Sequence, residues 1–188
     1  MDTETSDGPP RALLVAAVVI AVAAVVGVLV VAATRQRTAP QQPVPLVTIP
    51  APQADGADCA ALLDALPETL GDARRAPLAD PAPPGAAAWR TPGSDEPVVL
   101  RCGVERPAEF VVGAPLQAVD AVQWFRVGDD GAPAAAGAQE RSTWYAVDRG
   151  VYVALTLPRG SGPTPIQQIS GVLDATLPAR PLDPAPPR

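Results

Sequence analysis

Residues Ala12 to Ala33 run for twenty-two positions without a charged side chain or a proline. An uninterrupted apolar segment of about 20 residues is what an α-helix needs to cross the ~30 Å hydrocarbon core of a bilayer. A helix satisfies its own backbone N–H and C=O groups, so lipid can surround it. The chain therefore reads as a single-span membrane protein with one folded domain on one side: a tail over 1–11, a transmembrane helix over 12–33, a tether over 34–52, a domain over 53–178 and a final tail over 179–188.

The flanking charges barely distinguish the two sides of the membrane. Arg11 and the α-amino group precede the span, and Arg35 and Arg37 follow it. Positive charge stays on the cytoplasmic side, but here the balance is close to even. A short tail ahead of a span is the signal-anchor arrangement, and two cysteines downstream suit an oxidising compartment. Both place the N-terminus in the cytoplasm and the domain outside. The competing reading is a cleaved signal peptide with Val31-Ala32-Ala33 at the cut, although a signal-peptide apolar region runs to only about 7–15 residues.

The chain has no His, no Lys and no Asn, and all 14 basic residues are Arg. Abundant Ala, Pro, Gly and Arg point to a GC-rich genome. The net charge of −6 falls on the part beyond Ala39. An acidic domain without a basic cluster is a poor partner for nucleic acid and is not drawn to an anionic leaflet. Pro40, Pro43, Pro45, Pro50 and Pro52 favour extended, polyproline-like chain in the tether. Such a chain advances ~3 Å per residue, enough to hold a domain off the bilayer.

Within the domain, Asp55 or Asp58 can cap a helix whose Cys59, Leu62, Leu63 and Leu66 recur at i, i+3, i+4, i+7. Residues 76–97 read as a long Pro/Ala/Gly loop containing Trp89. A strand follows over 98–105, with Val98, Leu100, Cys102 and Val104 on one face and Val99, Arg101, Gly103 and Glu105 on the other. Cys59 and Cys102 thus both point to the core, one from a helix and one from a strand. A disulfide between them would contribute roughly 3–4 kcal/mol in the chain-entropy model; two buried free thiols are the alternative. Further strands are expected over 118–127, 142–148 and 151–157, the last two joined by an Asp148-Arg149-Gly150 turn. Residues 129–139 read as a loop. A last helix begins at Thr164, with Pro165 at its first helical position and Gln167, three residues after the cap, completing a capping box; Ile166, Ile169, Leu173 and Leu177 share a face. The order predicts an α+β two-layer sandwich: an antiparallel sheet of about four strands with an N-terminal and a C-terminal helix on one face. Its other face would be partly open, displaying Arg101, Glu105, Tyr152 and Thr156. The Pro-rich tail over 179–188 is expected to be disordered.

Val47-Thr48-Ile49-Pro50-Ala51-Pro52 followed by Cys59 and Leu62-Leu63, then Leu100-Arg101-Cys102-Gly103-Val104, Trp124 and the Trp144 to Leu157 block, resemble an actinobacterial family of single-span membrane proteins, domain of unknown function 3515. The likeness covers roughly Val44 to Leu177 and implies one folded unit, an envelope location and an actinobacterial origin. It implies no catalytic residue. The layout is also similar to small actinobacterial lipoprotein and sensor domains, but no Cys ends the apolar segment as it would in a lipoprotein.

The missing residue types narrow the chemistry. Without His there is no Ser–His or Cys–His pair, without Lys no Schiff base, and no GxxxxGK[ST] phosphate loop occurs. Two cysteines and no histidine are too few to ligate zinc, so no metal and no cofactor is expected. The acid pairs Asp95-Glu96 and Asp129-Asp130 sit in expected loops and read as solvated turn residues; Glu105 and Glu109 around Arg106 read as surface ion pairing. Trp124-Phe125 and Trp144-Tyr145 are consecutive aromatics on strands, so one ring of each pair faces away from the other. An outward ring near Arg101 or Arg126 suits a glycan or protein contact. Arg101, Trp124, Arg126, Trp144 and Tyr152 are therefore the candidate binding surface. The expected function is a non-catalytic envelope module that binds a protein or cell-wall partner. The alternatives are an extracytoplasmic sensing domain, disfavoured by the featureless span and eleven-residue tail, and a carboxylate-based hydrolase.

Overall fold

The computed structural model describes residues 11–37, 42–128 and 141–187. The expectations for residues 1–10, for 38–41 of the tether, for the whole 129–139 loop with Asp129-Asp130, and for Arg188 lie outside the described residues. The chain forms two compact units, Met1–Pro40 and Gln41–Arg188.

The first unit contains helix α1, Arg11–Arg37, of 27 residues. At 1.5 Å per residue it is about 40 Å long, more than a bilayer core requires. Its apolar stretch Ala12–Ala32 carries exposed Val, Leu and Ile side chains around the whole circumference. Among the described residues it is the one helix long and apolar enough to cross a membrane.

The second unit holds one antiparallel sheet of eight strands, not about four. In chain order they are β1 (Thr69–Leu70), β2 (Ala73–Ala76), β3 (Ala86–Arg90), β4 (Val98–Val104), β5 (Leu116–Val119), β6 (Val122–Gly128), β7 (Ser142–Ala146) and β8 (Tyr152–Leu157). Their spatial order is β1-β2-β3-β4-β8-β7-β6-β5. Two meanders are thus sewn together where β4 pairs with β8, Leu100 opposite Leu155 and Cys102 opposite Val153. The expected loop over 76–97 contains all of β3, with Trp89 fully buried in the core. The single strand expected over 118–127 is a hairpin instead, β5 and β6, turned by Asp120 at φ 51° and Ala121. The 142–148 and 151–157 strands form the anticipated hairpin β7–β8.

Helices α2 (Ala57–Ala65) and α3 (Thr164–Thr176) pack on one face of this sheet. Cys59 and Leu62 from α2, and Ile166, Ile169 and Leu173 from α3, meet Trp89, Leu100, Cys102, Trp124, Val153 and Leu155 in a single core. Neither Asp55 nor Asp58 caps α2; its N-cap is Gly56, and Asp58 lies in the first turn, where a negative charge favours the helix dipole. The capping box expected at Thr164 does not form either, because Pro163 occupies the N-cap. Cys59 and Cys102 are joined as a disulfide, Cα–Cα 5.5 Å, stapling α2 to β4.

The opposite face of the sheet is covered rather than open. Near β2 and β3, Val44 is buried against Ala76 and Ala88, and its N–H and C=O pair with Pro77 O and Ala79 N. The packed part of the chain thus starts well before residue 53. Near β6 and β7, Phe110 packs on Phe125, Val127 and Val147. Residues 179–187, read from sequence as a disordered tail, hydrogen-bond the domain: Arg180 N donates to Asp148 O, Ala185 N to Phe110 O, and Val112 N to Ala185 O.

Arg101-Cys102-Gly103 on β4 holds the incoming chain at three points. Arg101 Nη2 donates to Val47 O at 3.3 Å, Cys102 carries the disulfide, and Gly103 O accepts from Gln53 N at 3.1 Å. Gly103 has φ 77°, and β4 is irregular between Cys102 and Val104. A glycine is needed here for the left-handed backbone.

Candidate functional site

Strand alternation puts Val122, Trp124 and Arg126 of β6 on the helix-bearing face, level with Ser142, Trp144 and Ala146 of β7. Trp124 is fully buried, and its Nε1 donates to Ser170 Oγ on α3 at 3.0 Å. It belongs to the core and offers no binding surface. Phe125, its neighbour, is equally buried on the opposite face. Trp144 is only half-buried. Arg126 lies opposite Trp144 in the sheet, with its guanidinium carbon 5.2 Å from the indole centroid. A cation over an indole face at this distance is an attraction of about 0.5–2 kcal/mol. Trp144 Nε1 donates to Ser142 Oγ at 3.2 Å.

These side chains floor a cleft of about 490 Å³. One wall is β5 with the Asp120 turn, supplying Gln117, Ala118 and Val119. The other is the β8–α3 connection and first turn of α3, supplying Gly160, Ser161, Gly162, Ile166 and Gln167. The volume falls in the range of small-molecule sites. Among the described residues the lining mixes one cation, one carboxylate (Asp120), amides and hydroxyls with the indole and Ile166.

Arg149 braces the walls from behind. Its side chain is fully buried and pairs with Asp148 at 2.9 Å and with Asp174 of α3 at 3.5 Å. Its Nη2 also donates to Ala121 O at 3.0 Å, and Asp148 Oδ2 accepts from Gln123 N at 3.0 Å. One guanidinium thus ties the β5–β6 turn, the β7–β8 turn and α3 together.

The remaining candidates, Arg101 and Tyr152, lie on the opposite face and do not join the cleft. Arg101 is half-buried beside Tyr145. Burial lowers its pKa, Tyr145 opposes that, and Arg141 adds to it. The Tyr145 phenol is raised by burial and by Glu109, with Arg101 working against both. Tyr152 donates to Asp183 O at 3.2 Å, and Asp183 also pairs with Arg106 at 3.3 Å. Arg106 therefore bonds the C-terminal tail, not the flanking Glu105 and Glu109. Those glutamates and Asp95-Glu96 are solvent-exposed. Among the described residues no group of three or more His, Cys, Asp or Glu is placed to hold a metal ion.

Of the five candidate residues, the structure brings Arg126 and Trp144 together and separates the other three. Gln117, Asp120, Ser142, Ser161 and Gln167 escaped the sequence reading. They come from β5, the β5–β6 turn, β7, the β8–α3 connection and α3, and no spacing in the chain signals their convergence.

A family model described as a protein of unknown function, DUF3515, matches residues 18–182, and the chain belongs to that family. The match begins inside the apolar helix and ends in the docked C-terminal segment. No curated protein and no solved structure matches the chain.

Proposed function

We propose that this DUF3515 chain is a membrane-anchored, extracytoplasmic binding module whose ligand site is the Arg126–Trp144 cleft. The observation that carries the reading is the cleft itself: a stacked cation and indole at the floor of a concavity between β5 and the start of α3. Among the described residues its lining supplies a single carboxylate, Asp120. General acid–base chemistry needs a matched proton donor and acceptor within reach of the substrate. The cleft is equipped to hold and orient a ligand, and the partner is an envelope protein or a cell-wall component.

Two features support the anchor and the side. The α1 helix has the length and apolarity of a span. The Cys59–Cys102 disulfide suits an oxidising exterior, where such bonds persist.

Trp144 provides the test. Trp89 and Trp124 have no accessible surface, so Trp144 is the indole a ligand in the cleft can touch. The full chain in detergent is titrated with cell-wall fragments and with peptides. A saturable change that Trp144→Phe abolishes is expected. Turnover of any of these compounds, or no change with any of them, would overturn the reading. The anchor is tested separately in intact cells: the chain is expected in the alkaline-washed membrane fraction and its domain accessible to external protease.

A further inference from the structure

Trp144 gives the cleft an apolar floor. Its Nε1–H is committed to Ser142 Oγ at 3.2 Å, so what the indole offers a ligand is ring carbon. Arg126 lies against the same ring but is only 6% exposed, so a ligand meets the indole before the guanidinium. The accessible polar side chains belong to the two walls. Half-buried Gln117 of β5 and exposed Asp120 in the β5–β6 turn stand on one side, exposed Ser161 and Gln167 on the other. Among the described residues no hydrogen bond engages the side-chain amide of either glutamine or the Asp120 carboxylate.

This distribution selects a ligand that is apolar on one side and polar around its rim. Each amide carries donors and an acceptor at its tip, Ser161 carries both on one oxygen, and the Asp120 carboxylate only accepts. Adjacent hydroxyls of a sugar ring answer all three, because each hydroxyl both donates and accepts. The C–H groups on the flat side of such a ring are polarised by the neighbouring oxygens and suit an aromatic π-surface, which is negative on its face. An apolar peptide side chain in the same place would leave the wall amides unpaired, at about 1–3 kcal/mol for each group desolvated. An anion would find Arg126 buried and the Asp120 carboxylate exposed.

We propose that the ligand of the cleft is an uncharged saccharide, one ring of which packs on Trp144 while its hydroxyls bond the side-chain amides of Gln117 and Gln167 and the carboxylate of Asp120. This rests on the cleft being the binding site.

The test uses the full chain in a detergent without a sugar headgroup. It is titrated with uncharged mono- to tetrasaccharides of hexose, pentose and N-acetylhexosamine units, and separately with acetylated, amidated hexapeptides of random sequence. A saturable shift of Trp144 emission is expected with at least one saccharide and with no hexapeptide. Gln117→Ala combined with Gln167→Ala should lower affinity roughly tenfold or more, the loss of two wall contacts. The uronic acid form of the same sugar should bind more weakly, by about threefold at low salt. Asp120→Asn should erase that difference, and Asn tolerates the φ of 51° found there. The comparison of neutral and uronic sugars uses the unaltered protein, so it holds even if a variant fails to fold. Affinity that rises with chain length would assign the sugar to a polymer and a flat profile to a free sugar; both support the proposal.

Hexapeptides that shift Trp144 where no saccharide does would overturn the saccharide and leave the cleft standing. A uronic form that binds as well as the neutral sugar, or better, would overturn the uncharged ligand. Saccharide binding unaffected by the double glutamine variant would overturn the assignment of the walls. No shift with either class of compound would remove both readings.

Discussion

Gly103 lies directly against the backbone of Gln53 and Ala54: a Cβ placed on it would collide with the Ala54 nitrogen and the Gln53 carbonyl carbon. Combined with φ 77°, this leaves no room for another residue. Gly103→Ala must either displace the 53–54 segment, losing the Gln53 N–Gly103 O bond, or unwind the end of β4. The expected cost is on the order of 2–4 kcal/mol. Chemical denaturation of the full chain in detergent, followed by far-UV circular dichroism, measures it. Gly93→Ala is the matched control: Gly93 has a similar φ of 80° with nothing within 4 Å of a Cβ, and should cost about 1 kcal/mol.

The disulfide closes a loop of 43 residues in sequence separation. Cross-linking a loop of that size restricts the unfolded chain, and its loss should cost roughly 3–4 kcal/mol in the chain-entropy model. Cys59→Ala with Cys102→Ala should therefore lower the denaturation midpoint. Alkylation of the unreduced native chain should label neither sulfur, since the structure leaves no free cysteine.

These two sites show what the sequence made legible. Cys59 and Cys102 were readable because helical and strand periodicity each put one sulfur on an apolar face. β4, the β7–β8 hairpin and the apolar face of α3 were readable for the same reason. β2 and β3 were not: their Ala-Arg-Arg-Ala and Ala-Ala-Ala-Trp-Arg look like loop beside valine-rich strands. Alanine is what fits there, because Val44 packs directly on Ala76 and Ala88. That contact joins residues more than thirty apart in the chain and has no local signature. The cleft was half legible. Aromatic spacing found Trp144 and charge found Arg126, but the same reasoning admitted Trp124, whose burial depends on Ser170 of a helix 46 residues further on.

Arg149 offers a third prediction. Its side chain is fully buried, and its donors serve Asp148 and Ala121 O at 2.9–3.0 Å, with Asp174 at 3.5 Å. Removing one partner of a buried charge network strands the other, at about 3–5 kcal/mol. Arg149→Ala is expected to cost this much. Arg149→Lys should recover less than half of it, because a single ammonium cannot span the carboxylate and the carbonyl together. Denaturation of both variants measures the stability. Since Arg149 ties the Asp120 turn to α3, both variants should also broaden the Trp144 emission band relative to the wild type.

Tyr152 carries the last prediction, which concerns alkaline pH. Its phenol donates to Asp183 O, and its pKa is raised above the ordinary value of 10.0, first by burial and then by the Asp183 charge, with Arg106 acting in the opposite sense. Tyr145 is raised as well, again chiefly by burial. A phenol whose folded-state pKa exceeds its unfolded value binds its proton more tightly in the native chain. The stability this contributes is complete below the unfolded pKa of about 10 and is lost as pH rises through the folded value. The domain should therefore hold its stability up to about pH 10 and lose it progressively above. The tyrosinate absorbance of the native chain should lag that of the unfolded chain over the same window. Tyr152→Phe removes one contribution to that loss and also the bond to Asp183 O, so it should flatten the alkaline fall while loosening residues 179–187. Faster amide exchange at Ala185, without change at Leu100 or Leu155, would locate that loosening in the tail. An absorbance titration in which neither phenol lags the unfolded chain would contradict the assignment of both tyrosines to a desolvated face.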